Sequence, residues 1–198
     1  MNDIIEAYQS RRSVYALGNK ITTSNNEIMA ILKECIKQAP TAFNSQSGRI
    51  ILLLGKEHKK LWELILIELA KVTPAEKFTV TELKIASFAE AYGTILFFED
   101  NDIIENLKEY YPLYKDAFYA YSCQSSGMLQ YMVWTALSSI NIGASLQHYN
   151  PLIDEVVKQK LNLPESWKMM SQMPFGQIKQ KATPKDILPI DSRFKVFN

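Results

Sequence analysis

From Tyr114 to Ile140 the chain runs without a proline and with one glycine, Gly127. Proline removes a backbone donor and glycine loosens a helix, so a stretch nearly free of both favours one long helix. Within it Met128, Tyr131, Met132, Thr135, Ala136 and Ser139 recur at helical spacing. This stripe of mostly small or flexible side chains fits a long central helix. Glycine is scarce throughout, seven in 198 residues, so most of the sequence belongs in regular elements.

Other elements follow from spacing. Ser24 and Glu27 have capping-box spacing. Ile28, Ile31, Leu32, Cys35, Ile36 and Ala39 then give an amphipathic helix that Pro40 ends, with Cys35 as a packed thiol. Lys56 to Val72 reads as a helix with Trp62, Ile65, Leu66 and Leu69 inward and His58 solvated in its polar first turn. Thr81 to Ala91 reads as a helix carrying Leu83, Ile85 and Phe88. Arg49 to Leu54, closed by Gly55, and Gly93 to Glu99 read as core strands buried on both faces. The turn-like Asp100-Asn101-Asp102 ends the second, and two short helical pieces meet near Pro112. Gly143 suits the C′ position of the long helix. Asn150 and Pro151 suit N-cap and N1 of another, with Ile153, Val156, Val157 and Leu161 inward. Trp167 to Met173 reads as a strand. From Gln177 onward apolar residues thin out among Lys179, Lys181, Pro184, Lys185 and Pro189, which predicts an extended arm over 177–198. Helices dominate and strands are few, so the expected class is α+β, in a single unit spanning 1–198.

Charge and composition exclude several functions. Lys+Arg is 22 and Asp+Glu 21, a net charge of +1, which argues against a nucleic-acid partner. The apolar runs Ile50 to Leu54 and Ile95 to Phe98 are too short for a membrane span, and the start, Met1 to Arg12, lacks a signal-peptide core. Cys35 and Cys123 form no CxxC, and with only His58 and His148 beside them no zinc centre of the usual kind is expected. A reducing, cytoplasmic setting is the expectation. GxGxxG, GxxxxGK[ST] and GxSxG are all absent.

Three segments remain that could carry chemistry. Arg11-Arg12-Ser13-Val14-Tyr15 sets two guanidiniums beside a hydroxyl, a donor fork for a phosphate or a polarised carbonyl. Alone it reads first as a solvated basic turn. Pro40 to Ser47 joins a helix to a strand with eight residues rich in amides and hydroxyls, which suit the polar edge of a heterocycle or simply a capped turn. Gly143 to Pro151 follows the long helix and could aim backbone N–H groups at a ligand. His148 there is an acid–base candidate or a packed histidine, with no Asp or Ser partner in the motif.

Taken in order, these segments resemble the nitroreductase family of flavin mononucleotide (FMN) enzymes, in its branch of small bacterial and fungal members. The resemblance is carried by RRSVYALG at 11–18, APTAFNSQSGR at 39–49, GTILFFED at 93–100, LQHYNP at 146–151 and MPFG at 173–176. It implies an α+β homodimer interlocked through long central helices, with C-terminal arms crossing to the partner and FMN at the interface. By position it implies that Arg11, Arg12, Ser13 and Tyr15 form the first flavin-binding segment. Thr41, Ala42, Asn44 and Gln46 match the segment laid against the cofactor by the other subunit. Leu146, Gln147 and His148 match the segment facing flavin N5, and Lys185, with Arg193 second, the late phosphate-binding cation.

The implied activity is an NADH- or NADPH-driven reduction of nitroaromatic or quinone-type acceptors by a ping-pong mechanism. The flavin does the redox chemistry, so no catalytic side chain and no metal are expected. Two departures qualify the match. Tyr15 stands where many relatives carry a basic residue, as in the closer branch, and the Glu-Gly pair of the well-studied members is missing from the N5 segment. The flavin edge is then built differently. Two other readings stand beside this one: a flavoprotein with a regulatory or stress-response role and incidental reductase activity, and a cofactor-free interaction domain.

Overall fold

The structure, a computed structural model, describes residues 3–197. Met1, Asn2 and Asn198, at the ends of the expected 1–198 unit, lie outside the described residues. The elements are helices α1 (Asp3–Ser10), α2 (Asn25–Gln38), α3 (Gly55–Val72), α4 (Ala75–Ala89), α5 (Asn101–Tyr110), α6 (Phe118–Ser139) and α7 (Asp154–Leu161). The strands are β1 (Leu17–Gly18), β2 (Gly48–Leu54), β3 (Gly93–Asp100), β4 (Ile142–Ala144) and β5 (Trp167–Ile178). The sheet runs β1-β5-β3-β2, with β4 also paired to β5, and all these pairings are antiparallel. The fold is α+β.

Strand β3 explains the layering. Its side chains alternate, so Ile95 and Phe97 meet α2 and α6 with Leu32, Leu129 and Val133. Leu96 and Phe98 meet α3, α4 and α7 with Trp62, Phe88 and Val157. Each helical layer thus packs on one face of the sheet. The α2 capping box is formed as its sequence implies: Ser24 Oγ accepts from the Glu27 N–H, and the Glu27 carboxylate accepts from Ser24 N–H at 2.8 Å. Cys35 is buried.

Several expectations need correction. Strand β2 is not buried on both faces; it is the last strand of the sheet and half-buried along most of its length. The long helix starts at Phe118 rather than Tyr114, because a 3-10 turn, Pro112–Tyr114, comes first. Its core face is Ser122, Ser125, Leu129, Val133 and Leu137, while Met128 and Tyr131 are exposed. Asp100 opens no turn: its carboxylate accepts from Asp102 N–H and caps α5. Helix α4 starts earlier than Thr81, behind Pro74, and Leu83 on it is exposed. Gly143 is not the C′ residue of α6. Asn141, at φ 60°, takes the left-handed position, and Gly143 lies in β4, where a Cβ would stand 2.8 Å from Ile178 Cγ1. Asn150 and Pro151 do not cap α7. The Asn150 carboxamide oxygen accepts from Gln172 instead, and the helix starts three residues beyond Pro151. Strand β5 continues past Met173 to Ile178, so the arm begins after it.

His58 is the largest surprise, being 1% exposed rather than solvated. Its Nε2 lies 3.2 Å from the Ala89 carbonyl, which only accepts, so the ring proton sits there. Its Nδ1, 2.8 Å from Thr94 Oγ1, then accepts from that hydroxyl, which itself accepts from Trp62 Nε1–H at 2.9 Å. Burial holds the pKa of this neutral ring below the ordinary 6.5. As pH falls below about 6.5 the unfolded chain takes up this proton before the folded one, so the native state loses stability. The H58Q variant keeps a donor and an acceptor but does not titrate. The stability of the wild type relative to H58Q is expected to be constant above about pH 6.5. Below it the difference should fall by up to about 1.4 kcal/mol per pH unit in denaturant titrations.

Candidate functional site

The segment after α1 is drawn into the sheet. Val14 N–H donates to the Ala144 carbonyl at 2.9 Å, and Ser13 bridges Ala144 in parallel register. Leu17 and Gly18 then pair with Ile178 and Gln177, and Lys179 N–H donates to the Ala16 carbonyl at 2.9 Å. The beginning of the chain and the beginning of the arm therefore run side by side. Between them lies a cavity of about 470 Å³ lined by Arg11, Arg12, Ser13, Tyr15, Lys181 and Lys185, among others.

That cavity is cationic by construction. Four basic residues line it and no carboxylate does. Arg12 is held in place by donating from Nη2 to the Thr183 carbonyl at 2.6 Å. Arg11 lies over the Trp134 ring, 4.3 Å from its centroid, and 5.7 Å from that of Tyr131, both on α6. Its Nε is buried without a hydrogen-bond partner. Converging cations with an unspent buried donor fit an anion with several acceptor oxygens. Arg193 is not part of this cavity; it follows a 3-10 turn in the arm and donates to the Leu188 carbonyl at 3.4 Å.

The third segment, after β4, is strapped to β5. Gln147 and Gln172 exchange backbone hydrogen bonds of 2.7 and 2.9 Å, and Tyr149 N–H donates to Gln172 Oε1 at 2.8 Å. Gln147 is buried, with Nε2 donating to Ser145 Oγ at 3.1 Å, while His148 is exposed. The Ser13–Ala144 bridge makes this segment a neighbour of Arg11–Ser13 in the sheet, although Leu146, Gln147 and His148 do not line the cationic cavity.

The second segment lies apart. Ala42 and Asn44 belong to a 3-10 turn, and Phe43, Asn44 and Gln46 all have positive φ, between 50 and 55°. Thr41 and Gln46 line a separate cavity of about 360 Å³ with Arg49, Glu99 and Ser125, and Lys33 and Lys37 of α2 also border it. The two cavities share no residue. One chain thus unites Arg11, Arg12, Ser13, Tyr15 and Lys185 but keeps Thr41 and Gln46 elsewhere.

Comparison with known proteins settles the family. The model of the family described as "Nitroreductase family" matches residues 8–177. The chain belongs to the nitroreductase family. Nitroreductase CinD of Lactococcus lactis, solved with chloramphenicol, is 42% identical with a TM-score of 0.91, covering 99% of this chain and 100% of that one. The same protein is also solved with nicotinic acid and with 4-nitrophenol. HBN1 of Saccharomyces cerevisiae, named a nitroreductase, is 34% identical over 98% of this chain and 96% of its own length. A Desulfitobacterium hafniense nitroreductase with bound FMN shares the fold at 19% identity, with a TM-score of 0.74 over the whole of both chains.

As a nitroreductase-family member the chain is an oxidoreductase by class. The match to residues 8–177 takes in all three segments and stops one residue short of the end of β5, leaving Lys181 and Lys185 in the arm outside it. Two participants in these cavities escaped the sequence reading. Lys181 was visible only as one of a lysine cluster. Glu99 shares the inward face of β3 with Ile95 and Phe97, and that alternation was the available signal.

The cationic cavity depends on close approach of β1 to β5. A Cβ on Gly176 would stand 2.2 Å from the Gly18 carbonyl oxygen. Gly176→Ala is expected to cost about 3 kcal/mol or more in a denaturant titration, the upper end of overpacking. It should also open the Arg11–Lys185 cavity, read as faster proteolysis of the arm.

Proposed function

We propose that this chain is an FMN-dependent oxidoreductase, driven by NADH or NADPH, that reduces nitroaromatic or quinone-type acceptors in two alternating half-reactions. The observation that carries the reading is the cationic cavity between Arg11–Tyr15 and the arm, free of carboxylates, in a chain of this family. Its four cations and the orphaned Arg11 Nε fit the phosphate and polar ring edge of FMN.

Bound FMN supplies the hydride chemistry. The chain supplies binding and charge. Arg12, Lys181 and Lys185 hold the phosphate, with the Ser13 hydroxyl as a further donor. Arg11, fixed against Trp134, presents a cation to the ring edge where negative charge collects on reduction, a preorganised electrostatic stabilisation. Leu146 and His148, which the Ser13–Ala144 bridge sets next to the Arg11–Ser13 segment, would bound the ring from the β4 side, the Gln147 N–H being already spent on Gln172. Thr41, Ala42, Asn44 and Gln46 of a second copy complete the site, which accounts for their separation within one chain. The second copy has places to bind: exposed Met128 and Tyr131 on α6, the edge strand β2, and an arm bearing exposed Ile187, Leu188, Ile190, Phe194, Val196 and Phe197. The acceptor class is supported by the lactococcal relative solved with 4-nitrophenol and chloramphenicol. Among the described residues no helix is long and apolar enough to cross a membrane, and both cysteines are free, which supports a cytoplasmic setting.

The purified protein is expected to absorb near ~375 and ~450 nm, and to bleach on anaerobic addition of NADH or NADPH. Flavin bands that resist both nicotinamides would move the function to another donor or to regulation. Protein that stays colourless after FMN is added would sink the cofactor reading. Arg12→Ala and Lys185→Ala should each weaken FMN retention about 10-fold or more, the loss of one charge-assisted hydrogen bond, as measured by flavin fluorescence on dilution.

A further inference from the structure

Glu99 is 2% exposed, on the α2–α6 face of β3. A carboxylate so placed is costly unless hydrogen-bonded. Two hydroxyls from different elements meet on its Oε2: Ser47, at the end of the Pro40–Ser47 loop, donates at 2.5 Å, and Ser122 of α6 at 2.9 Å. The residue lines the cavity that Thr41 and Gln46 also line.

The loop needs a hold. Phe43, Asn44 and Gln46 sit in the left-handed region, which side chains bearing a Cβ disfavour. Its restraints converge on the last two residues of β3. The Ser47 carbonyl accepts from Asp100 N–H at 2.9 Å. Arg49 donates to the Gln46 carbonyl at 2.8 Å and pairs with the Asp100 carboxylate at 3.0 Å. Glu99 is the buried carboxylate of this set, and through Ser47 and Ser122 it ties the loop to α6 as well as to the sheet.

We propose that Glu99 is a positioning residue for the Thr41–Gln46 segment: as a carboxylate it gathers Ser47 and Ser122 and fixes the loop, and as a carboxylic acid it loosens it. A neutral carboxyl oxygen is the weaker acceptor, so protonation slackens both bonds. The charged groups facing it are Arg49 and Asp100, with Lys33 and Lys37 of α2 bordering the same cavity. Burial pushes the Glu99 carboxyl above its ordinary 4.5, against the opposing pull of the two serines and Arg49. The change of state therefore comes at milder pH than for a free glutamate. The consequence for turnover rests on the flavin reading of the site; the effect on the loop does not.

The test is amide hydrogen exchange of the 41–47 segment in the wild-type protein, E99Q and S47A, compared at matched pH. At about pH 8 the segment should exchange about 10-fold faster in E99Q than in the wild type, and the gap should narrow as the pH is lowered into the acid range. S47A should show the same loop-confined rise at about pH 8. Equal protection in wild type and E99Q at about pH 8, or a gap that does not change with pH, overturns the proposal. Should E99Q exchange faster everywhere, S47A decides: a rise confined to 41–47 supports the proposal and none overturns it. In steady state E99Q should raise the acceptor KM with little change in kcat, and an acid limb expected in the wild-type pH profile should be absent from E99Q. A protein without flavin but with the loop response intact would refute the cofactor reading and leave the role of Glu99 standing.

Discussion

Strand β5 is paired along both edges, and the candidate site hangs from that double pairing. Phe175 is partnered by Gly93 and by Ala144, and Gln177 by Gly18 and by Ile142. Because β4 and β1 both dock there, Ser13 reaches Ala144 and Lys179 reaches Ala16. The arm then leaves the sheet beside the Arg11–Tyr15 segment. The cationic cavity is a by-product of this register: no element is built around the cavity, yet its basic residues are carried there by backbone pairing. The geometry tolerates little. Gly143 and Gly176 sit where any Cβ would strike a neighbouring strand, so removing a side chain at two points lets the strands close up.

The same sheet places two buried polar groups on opposite faces of β3, and physics treats them differently. Thr94 lies under α3 and closes a chain of neutral hydrogen bonds from Trp62 to His58 to Ala89. Every partner there is satisfied with no net charge, so the cluster is quiet at neutral pH. Glu99 lies under α6 and beside a cavity, with two donors on one oxygen. A charged group in such a place responds to its surroundings, whereas the histidine chiefly resists them.

What the sequence disclosed was what local rules govern. Helix α2 was readable because its cap, its stripe and its terminating proline agree, and β3 because an apolar run between a glycine and acids has few alternatives. Local rules failed where tertiary partners decide. His58 was read from its charged neighbours, although its spacing to Leu61, Trp62 and Ile65 puts all four on one buried face. Asn150 looked like a cap, but Gln172 competes for its side chain. Strand β4 is three residues long and has no pattern of its own; only β5 makes it a strand. Of the candidate residues named through order and resemblance, Arg11, Arg12 and Lys185 do share one cavity. Lys181 was hidden because it owes its place to backbone pairing far away in sequence, and Glu99 because the alternation that turns it inward does not show that Ser47 and Ser122 meet it there.

The stripe on α6 argues beyond the single chain. Its spacing is that of a packing face, but only part of it is used within the chain: Met132 and Ala136 pack beside Leu129, Val133 and Leu137 against the core. Met128 and Tyr131 are left exposed, and so are six large apolar residues of an arm that touches the rest of the chain chiefly near its start. A monomer gains nothing from holding this surface in water, since each such side chain forgoes about 1.5–3 kcal/mol of burial. The division of the polar residues runs the same way, with the carboxylate-free cationic cavity in one place and the amide-rich loop at another. A second copy that covers the stripe, receives the arm and brings its loop to the first copy's cations would resolve both features with one interface.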